Sequence, residues 1–379
     1  MQRVRDYLGW KDLSRYAILV LVFSMLITGC GRQMNTNAVE YGASQEDMQS
    51  SDSSAEGLFY HFADVKDFVQ EYEEDTVNVG IDVSKWQGEI DWQAVADAGV
   101  DFAFIRVGYR AANTGIIFED PYAKYNLQQA EAAGIKVGAY FFSTAVNVEE
   151  ALEEAAWTCA YIAQYKITYP VAYNCEGFKT AGSRNYGLSN DVRSANAIAF
   201  LELVESQGYE GMFYASKSEL QSSNYWNTKK IDAQYDIWVS QYPGTLLQEN
   251  PRTSYNGEYA CWQFTYKGVV PGITRSVDLN IAYFTKDIIA QPKDLTPYEL
   301  VEAPKSTVSY AAMDDIVVAK RDTGLKTEPT ANIEVEASVI LRKDELVKRI
   351  AVGSNGWSMV EYNQEMFYVL TADVEAVSQ

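Results

Sequence analysis

The sequence predicts an α/β protein, an irregular (β/α)8-like barrel followed by a second, small all-β domain. Two patterns carry this prediction. Between residues 77 and 286, eight short runs rich in apolar and β-branched residues predict strands, and helix-like segments separate them through the fifth. After residue 308 the runs are shorter and alternate with turns, as at residues 354–362. Strands joined by helical crossovers lie parallel in one sheet, and eight of them close into a barrel.

Turn-forming and capping residues set the limits of the predicted elements. The predicted strands are 79–84, 102–108, 136–143, 171–176, 212–216, 236–242, 259–265 and 276–283. The predicted helices are 91–98, 122–133, 147–165 and 189–207. After the fifth strand the connections shorten, so we expect the barrel to be irregular there. A doubly wound open sheet is the alternative, although no Gly-rich phosphate-binding loop follows any predicted strand.

Composition divides the chain into further segments. Residues 1–29 begin with a basic stretch and contain an apolar run at 17–27, which is short for a membrane span but typical of a signal peptide. Residues 30–76 are rich in Gln, Asn, Ser and acidic residues, which predicts a disordered stalk. The remaining segments are the barrel at 77–286, a proline-containing linker at 287–308 and the all-β domain at 309–379.

The apolar run ends in Leu26-Ile27-Thr28-Gly29-Cys30, which resembles a bacterial lipobox. In that motif the cysteine becomes the lipid-modified first residue after cleavage, so the resemblance predicts a lipid anchor on Cys30. An uncleaved anchor helix is the alternative. Both place the remaining chain outside the membrane but tethered to it, at the extracellular face of a bacterial cell and in its wall.

Charge and residue usage argue against several classes of function. The formal net charge of −21 speaks against nucleic acid as a partner, because phosphate binding needs a basic face. The single histidine, His61, lies in the polar N-terminal region, away from the predicted domains. The sequence therefore argues against Ser-His-Asp and Cys-His catalysis and against the usual zinc sites, and we expect no metal and no cofactor. It leaves the oligomeric state open.

Three cysteines lie in the predicted barrel: Cys159, Cys175 and Cys261. An odd number without a CxxC motif predicts small buried side chains rather than a disulfide framework. A bridge between one pair of them stays open.

The carboxyl ends of the strands are where a β/α barrel collects the residues that do chemistry. The fourth strand ends with Asn174 and Glu176 two residues apart, so both side chains leave the same face while Cys175 leaves the other. The other strands contribute carboxylates, amides and aromatic residues, namely Asp82, Tyr140, Tyr214, Gln241, Trp262, Gln263 and Asp278. Such a set suits a sugar-binding cleft with acid catalysis. The alternatives are that the aromatic residues fill the barrel core and that Glu176 meets solvent or caps a helix.

Six motifs lie along the predicted barrel: GIDVSKWQG at 80–88, DPY at 120–122, GAYFF at 138–142, YDIWVSQY at 235–242, WQ at 262–263 and VDLN at 277–280. They resemble glycoside hydrolase family 25, the Chalaropsis-type lysozymes. The resemblance implies a barrel-like fold that cleaves peptidoglycan between N-acetylmuramic acid and N-acetylglucosamine. It implies Glu176 as the general acid, with Asp82 and Asp278 lining the cleft. The substrate-binding residues would be Tyr140, Tyr173, Tyr214, Gln241, Trp262 and Gln263.

Asn174 departs from the family pattern, in which an Asp stands two residues before the acidic Glu. In the family that Asp supports a positively charged transition state by orienting the acetamido group of the substrate. Asn174 can accept one hydrogen bond but carries no charge, so we expect an active enzyme slowed by roughly 10²-fold. Two other functions stay open. One is a catalytically silent peptidoglycan-binding lipoprotein, and the other is a hydrolase of another N-acetylated glycan.

The C-terminal domain resembles bacterial SH3-like domains, which often bind cell walls. The resemblance rests on the turn Asn355-Gly356-Trp357 and on the rhythm of short strands around it. It implies a second contact with the wall, to a ligand that the sequence does not identify.

Overall fold

The computed structural model describes most of the chain after residue 58. The described residues are 59–72, 77–112, 114–243, 252–283, 294, 296, 298–304, 310–326, 329, 339–362 and 365–377. The predicted signal peptide, the lipid attachment at Cys30 and the first part of the predicted stalk lie outside them. The chain divides into two compact units, Met1–Glu302 and Ala303–Gln379.

The first unit is a closed barrel of eight strands, which confirms the predicted fold class. The strands are β2 (Asn78–Val83), β3 (Phe102–Arg110), β5 (Lys136–Phe142), β6 (Val171–Asn174), β7 (Gly211–Ser216), β8 (Asp236–Ser240), β9 (Cys261–Val269) and β10 (Val277–Ala282). They follow one another around the barrel in this order, and β10 pairs back with β2. A short strand, β4 (Ile117–Glu119), pairs with β3 outside the ring.

One strand direction differs from the expected all-parallel sheet. The last strand, β10, runs antiparallel to both of its neighbours, β9 and β2. The connection between β9 and β10 spans only residues 270–276. A connection this short makes a hairpin, because a parallel crossover needs about a dozen residues or more.

Helices surround the barrel, and four of them lie at the predicted places, near residues 91–98, 122–133, 147–165 and 189–207. The helices are α1 (Phe62–Tyr72), α2 (Trp92–Asp97), α3 (Ala123–Ala132), α4 (Val148–Ile162), α5 (Asn190–Ser206), α6 (Lys217–Leu220) and α7 (Thr228–Asp232). Polar caps start several of them: the Asn147 side chain accepts from the Glu150 amide at 2.9 Å, and Ser189 accepts from the Val192 amide at 3.3 Å. Of the helices in the described ranges, none has the length and apolar character to cross a bilayer.

Part of the predicted stalk is folded, and the stalk prediction is wrong for residues 59–72. A two-residue strand, β1 (Tyr60–His61), pairs in parallel with β9, so His61 lies in the sheet rather than apart from the fold. The helix α1 buries Phe62, Val65 and Val69 against the core. Their spacing of three and seven residues places them on one helix face, which explains why so polar a segment can pack.

The amino-terminal half of the barrel interior is filled by rings. Phe104 stacks on Trp238 with centroids 4.5 Å apart, and Phe102 lies edge-on to Phe104. Room for them exists because adjacent interior positions are glycines. A Cβ on Gly80 would lie 2.4 Å from the carbonyl oxygen of Phe102, and one on Gly138 would lie 2.5 Å from the Phe104 ring. Because these apolar rings fill the amino-terminal half of the interior, the polar interior side chains lie at the carboxyl end of the barrel.

The second unit is all-β, as predicted. Its five-stranded antiparallel sheet has the order β16, β15, β14, β11, β17, and β12 pairs separately with β13. The strands are β11 (Tyr310–Ala319), β12 (Thr323–Leu325), β13 (Val339–Leu341), β14 (Leu346–Gly353), β15 (Trp357–Tyr362), β16 (Glu365–Leu370) and β17 (Val374–Ala376). The sheet encloses its own small core around Val317, Val347, Val360 and Val369.

Some residues of the predicted linker pack on the barrel. The Val301 amide donates to Gln128 Oε1 at 2.9 Å, and Gln128 Nε2 donates to the Glu299 carbonyl at 3.0 Å. Tyr298 lies against Tyr165 with centroids 5.2 Å apart. The prediction of a free linker is therefore wrong for residues 298–302, which belong to the first unit.

Candidate active site

Asp82 lies inside the barrel and is held by residues from the far end of the sequence. Its Oδ2 accepts hydrogen bonds from Gln263 Nε2 at 2.9 Å and from Asn280 Nδ2 at 2.8 Å. Burial raises the pKa of the Asp82 carboxyl from 3.8 to about 6, and the two hydrogen bonds keep it from rising further. Asp82 is therefore an anion at neutral pH.

Two tyrosine hydroxyls fix the amide that holds Asp82. Tyr214 donates to Gln263 Oε1 at 2.9 Å and Tyr242 donates to the same atom at 2.8 Å. Because both hydroxyls need an acceptor there, the NH2 group of Gln263 faces Asp82. Gln263 thus supports Asp82 rather than offering free hydrogen-bonding atoms to a substrate.

Glu176 lies two residues after the end of β6 and is a half-buried carboxyl. Burial and, next, the negative charge of Glu219 raise its pKa to about 8, with a smaller contribution from Asp82. Hydrogen bonds with Tyr214 and Asn174 act in the opposite direction. At neutral pH Glu176 carries a proton that it can donate.

Asp278 is the third carboxyl of the cleft. Burial raises its pKa well above the usual value, and the charges of Asp82 and Glu176 add to the effect. Asp278 pairs with Asp82 across β10 and β2, so their side chains leave the same face of the sheet. With Glu176, whose charge acts on Asp278, the structure brings all three predicted carboxyls into one cleft. Asp82 and Glu176 differ in protonation, since Asp82 is ionised while Glu176 holds a proton at pH 7.

Asn174 lies on the same strand face as Glu176. Its side chain is 6 % exposed, and its Oδ1 has no hydrogen-bond partner within the described part of the protein. A buried acceptor of this kind is suited to an N–H or O–H group of a ligand. Tyr140 lies on the adjacent strand, half-buried and edge-on to Trp238; burial raises its pKa well above the usual value, and the charges of Asp82 and Asp278 add to the effect. Both residues therefore border the cleft.

Tyr173 and Trp262 do not face the cleft, so their assignment to the substrate site is corrected. Both are buried in the layer between barrel and helices. Tyr173 packs on Phe200 and accepts a hydrogen bond from Ser143 Oγ at 3.1 Å, and Trp262 Nε1 donates to the Gln241 carbonyl at 2.9 Å. Successive side chains of a strand alternate between its faces, so the inward direction of Asn174 and Gln263 sends their neighbours outward.

Gln241 anchors the rim of the barrel. Its Oε1 accepts from the Ser254 amide at 2.9 Å and from the Thr253 hydroxyl, and its Nε2 donates to Ser254 Oγ at 2.8 Å. Both polar atoms of the Gln241 side chain are therefore hydrogen-bonded within the protein, and they hold Thr253 and Ser254 at the end of β8.

Asn280 and Tyr242 belong to the site although no role was predicted for them. Asn280 links Asp82 to Trp238, whose Nε1 donates to Asn280 Oδ1 at 2.8 Å. Tyr242 follows β8 and holds Gln263. Their position near strand ends was the available signal in the sequence. That position does not distinguish a residue that holds a catalytic side chain from one that has no part in the site.

The family profile of the glycosyl hydrolases family 25 matches residues 81–273, a little more than half of the chain. The match begins one residue before Asp82 and includes Glu176 and Gln263. The chain belongs to glycosyl hydrolase family 25.

The chain is similar in sequence to several proteins with different names. The chain is 29 % identical over 238 residues to the uncharacterized protein YegX of Escherichia coli O157:H7, and the match covers 60 % of this chain and 78 % of that protein. It is 27 % identical over 209 residues to lysozyme M1 of Streptomyces globisporus, covering 53 % and 66 %. Among solved structures, the modular autolysin LytC of Streptococcus pneumoniae is 26 % identical with a TM-score of 0.46, covering 55 % of this chain and 47 % of that one.

The three buried cysteines are free, which confirms the prediction of small core residues. Cys159, Cys175 and Cys261 each lie in the core without a disulfide partner among the described residues. Cys175 points to the helix side of β6, opposite to Glu176, as the alternation of strand residues requires. None of them contributes to the cleft.

Proposed function

We propose that this family 25 protein is an N-acetylmuramidase, which hydrolyses the β-1,4 bond between N-acetylmuramic acid and N-acetylglucosamine in peptidoglycan. The observation that carries the proposal is two carboxyls in one cleft that differ in environment: Asp82 accepts two hydrogen bonds, whereas burial raises the pKa of Glu176 to about 8. An acid and an anion are the two groups that glycosidic cleavage requires. The lysozymes among its relatives support peptidoglycan as the substrate.

In this proposal Glu176 gives its proton to the bridging oxygen as the bond from C1 of N-acetylmuramic acid to that oxygen breaks. The carbonyl oxygen of the substrate's acetamido group bonds to C1 and forms a positively charged ring. Asn174 Oδ1 accepts the acetamido N–H and aims that carbonyl, while the negative charge of Asp82 stabilises the positive ring. Water then attacks C1, returns a proton to Glu176 and reopens the acetamido group.

A silent peptidoglycan-binding protein is the second candidate, and Asn174 is the observation that favours it. A neutral amide stabilises a positively charged ring less than a carboxylate does. The unpartnered Oδ1 of Asn174 still supplies the acceptor that orients the acetamido group. We therefore place the activity first, at a rate reduced by roughly 10²-fold relative to an Asp at this position.

We also propose that the chain is anchored by a lipid on Cys30 to the outer face of a bacterial cell membrane. The lipobox-like residues 26–30 support this location. In the same proposal the second unit is an SH3-like module that binds the cell wall. Its antiparallel strands around a small separate core support that assignment.

The test is product analysis with the full-length protein. Purified peptidoglycan is incubated with wild type, Glu176→Gln and Asn174→Asp, and the fragments are reduced with borohydride and identified by mass spectrometry. Reduced muramic acid ends from wild type, absent in Glu176→Gln and faster in Asn174→Asp, would support the muramidase. No cleavage by wild type, together with cleavage by Asn174→Asp, would support the second candidate, a peptidoglycan-binding protein without activity. Reduced glucosamine ends would overturn the assigned bond.

A further inference from the structure

Glu219 is a buried carboxylate beside the cleft to which the proposed reaction gives no role. It is 3 % exposed and lies in α6, directly after β7. It forms a capping box with Ser216, in which Glu219 Oε2 accepts from the Ser216 amide at 3.4 Å and Ser216 Oγ accepts from the Glu219 amide at 3.3 Å. A glutamine would serve such a box equally well, so capping does not explain why this buried position carries a charge.

The backbone places Glu219 at the same strand ends as Glu176. Strands β6 and β7 pair through Asn174 and Tyr214, and Glu176 and Ser216 each lie two residues beyond that pair. The carboxylate that caps Ser216 therefore lies at the same end of the same two strands as Glu176.

An ion pair connects the two loops at this point. Lys179 Nζ lies 3.2 Å from Glu219 Oε1. Lys179 belongs to the turn after Glu176, which is closed by a hydrogen bond from the Thr180 amide to the Gly177 carbonyl at 3.0 Å. The Lys179 side chain is more exposed than that of Glu219, 24 % against 5 %. Solvent therefore weakens the field of the lysine more than that of the buried carboxylate.

We propose that Glu219 is a positioning residue whose negative charge keeps the proton on Glu176 across the neutral pH range. The proposal rests on the proposed function, because it concerns the acid of that reaction. Glu219 supplies the like charge that an Asp at position 174 would bring to this acid. Asn174 is neutral, so the charge comes from the neighbouring strand end instead.

The groups around Glu176 support this assignment. Asp82 and Asp278 face it from β2 and β10, Tyr214 faces it from β7 and Tyr242 from the segment after β8. After burial, Glu219 is the largest cause of the raised pKa of Glu176, ahead of Asp82. Glu219 in turn is faced by Lys179, and its charge also acts on Cys175 and Arg193.

The test is the pH dependence of kcat/KM for peptidoglycan, measured with the full-length protein. Glu219→Gln keeps the shape and the capping bond but removes the charge. We expect the basic limb of the profile to move to lower pH by about one unit, because Glu176 then loses its proton earlier. Glu219→Asp keeps the charge and should leave the limb near its wild-type position. Glu202→Gln removes a charge at an exposed site of α5 and is the matched control.

An unchanged basic limb in Glu219→Gln would overturn the proposal. So would equal losses at all pH values in the Gln and Asp variants, since these are expected of a purely structural residue. If wild type cleaves nothing at any pH, the proposed function fails. The titration of Glu176 is then measured without substrate. Carbon-13 NMR of glutamate-labelled protein, with Glu176→Gln to identify the resonance, gives the midpoint directly. A midpoint lowered by about one unit in Glu219→Gln would support the proposal, and an unchanged one would overturn it.

Discussion

Replacing Glu176 by Gln is expected to stop cleavage and also to stabilise the fold at neutral pH. Burial and the charge of Glu219 raise the pKa of the Glu176 carboxyl from 4.5 to about 8. Folding at pH 7 therefore requires a carboxyl that is ionised in the unfolded chain to take up a proton, which opposes folding. Gln has the same shape and no proton to take up, so the variant avoids this cost.

The magnitude follows from the two pKa values. Each pH unit above the unfolded value of 4.5 costs the wild type about 1.4 kcal/mol, until the cost levels off near pH 8. At pH 7 the cost is about 3 kcal/mol. Because the folded pKa is the higher one, this term leaves the wild type most stable below pH 4.5 and weakens it as the pH rises. The variant should therefore match wild type near pH 4 and exceed it at pH 7.

The assay is urea unfolding of the full-length protein at pH 4, 7 and 9, followed by tryptophan fluorescence. Glu202→Gln on α5 is the control, because its exposed carboxyl should change the unfolding free energy by less than about 0.5 kcal/mol at any pH. Equal unfolding free energies of wild type and Glu176→Gln at pH 7 would refute the reasoning. A gain of equal size at pH 4 and pH 7 would also refute it, since only proton uptake gives the predicted pH dependence.

Three further changes test the fold and the anchor. Val65→Ala in α1 should lower the unfolding free energy by about 2 kcal/mol, whereas the exposed Gln70→Ala should not; equal values in the two variants would show that this segment does not support the barrel. Gly138→Ala should destabilise by about 1–3 kcal/mol in urea unfolding because its Cβ meets the Phe104 ring, and adding Phe104→Leu should recover part of the loss. An additive double variant would contradict that steric account. Cys30→Ala should move the protein out of the membrane fraction, and unchanged membrane extraction would favour an uncleaved anchor helix.

Local patterns in the sequence were sufficient for the eight barrel strands and the principal helices. The alternation of side chains along a strand places Asn174 and Glu176 on one face and Cys175 on the other. Caps at Asn147 and Ser189 mark where helices start. These features depend on residues only a few positions apart, so they can be read before the chain folds.

The same alternation could have removed Tyr173 and Trp262 from the predicted substrate site. Each lies next to a residue that points into the barrel, so each must point outward. Their aromatic character suited a sugar site, but it suits a buried core equally well. The strand face distinguishes the two settings, whereas the residue type does not.

The folding of residues 59–72 was missed for a different reason. Their overall composition is polar, and only Phe62, Val65 and Val69 form an apolar stripe. Such a stripe is stable only where a matching surface exists, because most helical stability in proteins comes from tertiary packing. The barrel provides that surface.

The sequence by itself determined the barrel and the carboxylates and amides that lie near its strand ends, because these follow from periodicity and from the type of residue at each position. The tertiary structure alone decided how the site is held and charged. Gln263 and Asn280 reach Asp82 across 181 and 198 positions of sequence, and Glu219 lies at the same strand ends as Glu176 only because β6 and β7 pair. Contacts over such distances arise when the barrel closes, and burial then sets the protonation of each carboxyl, which no local pattern encodes.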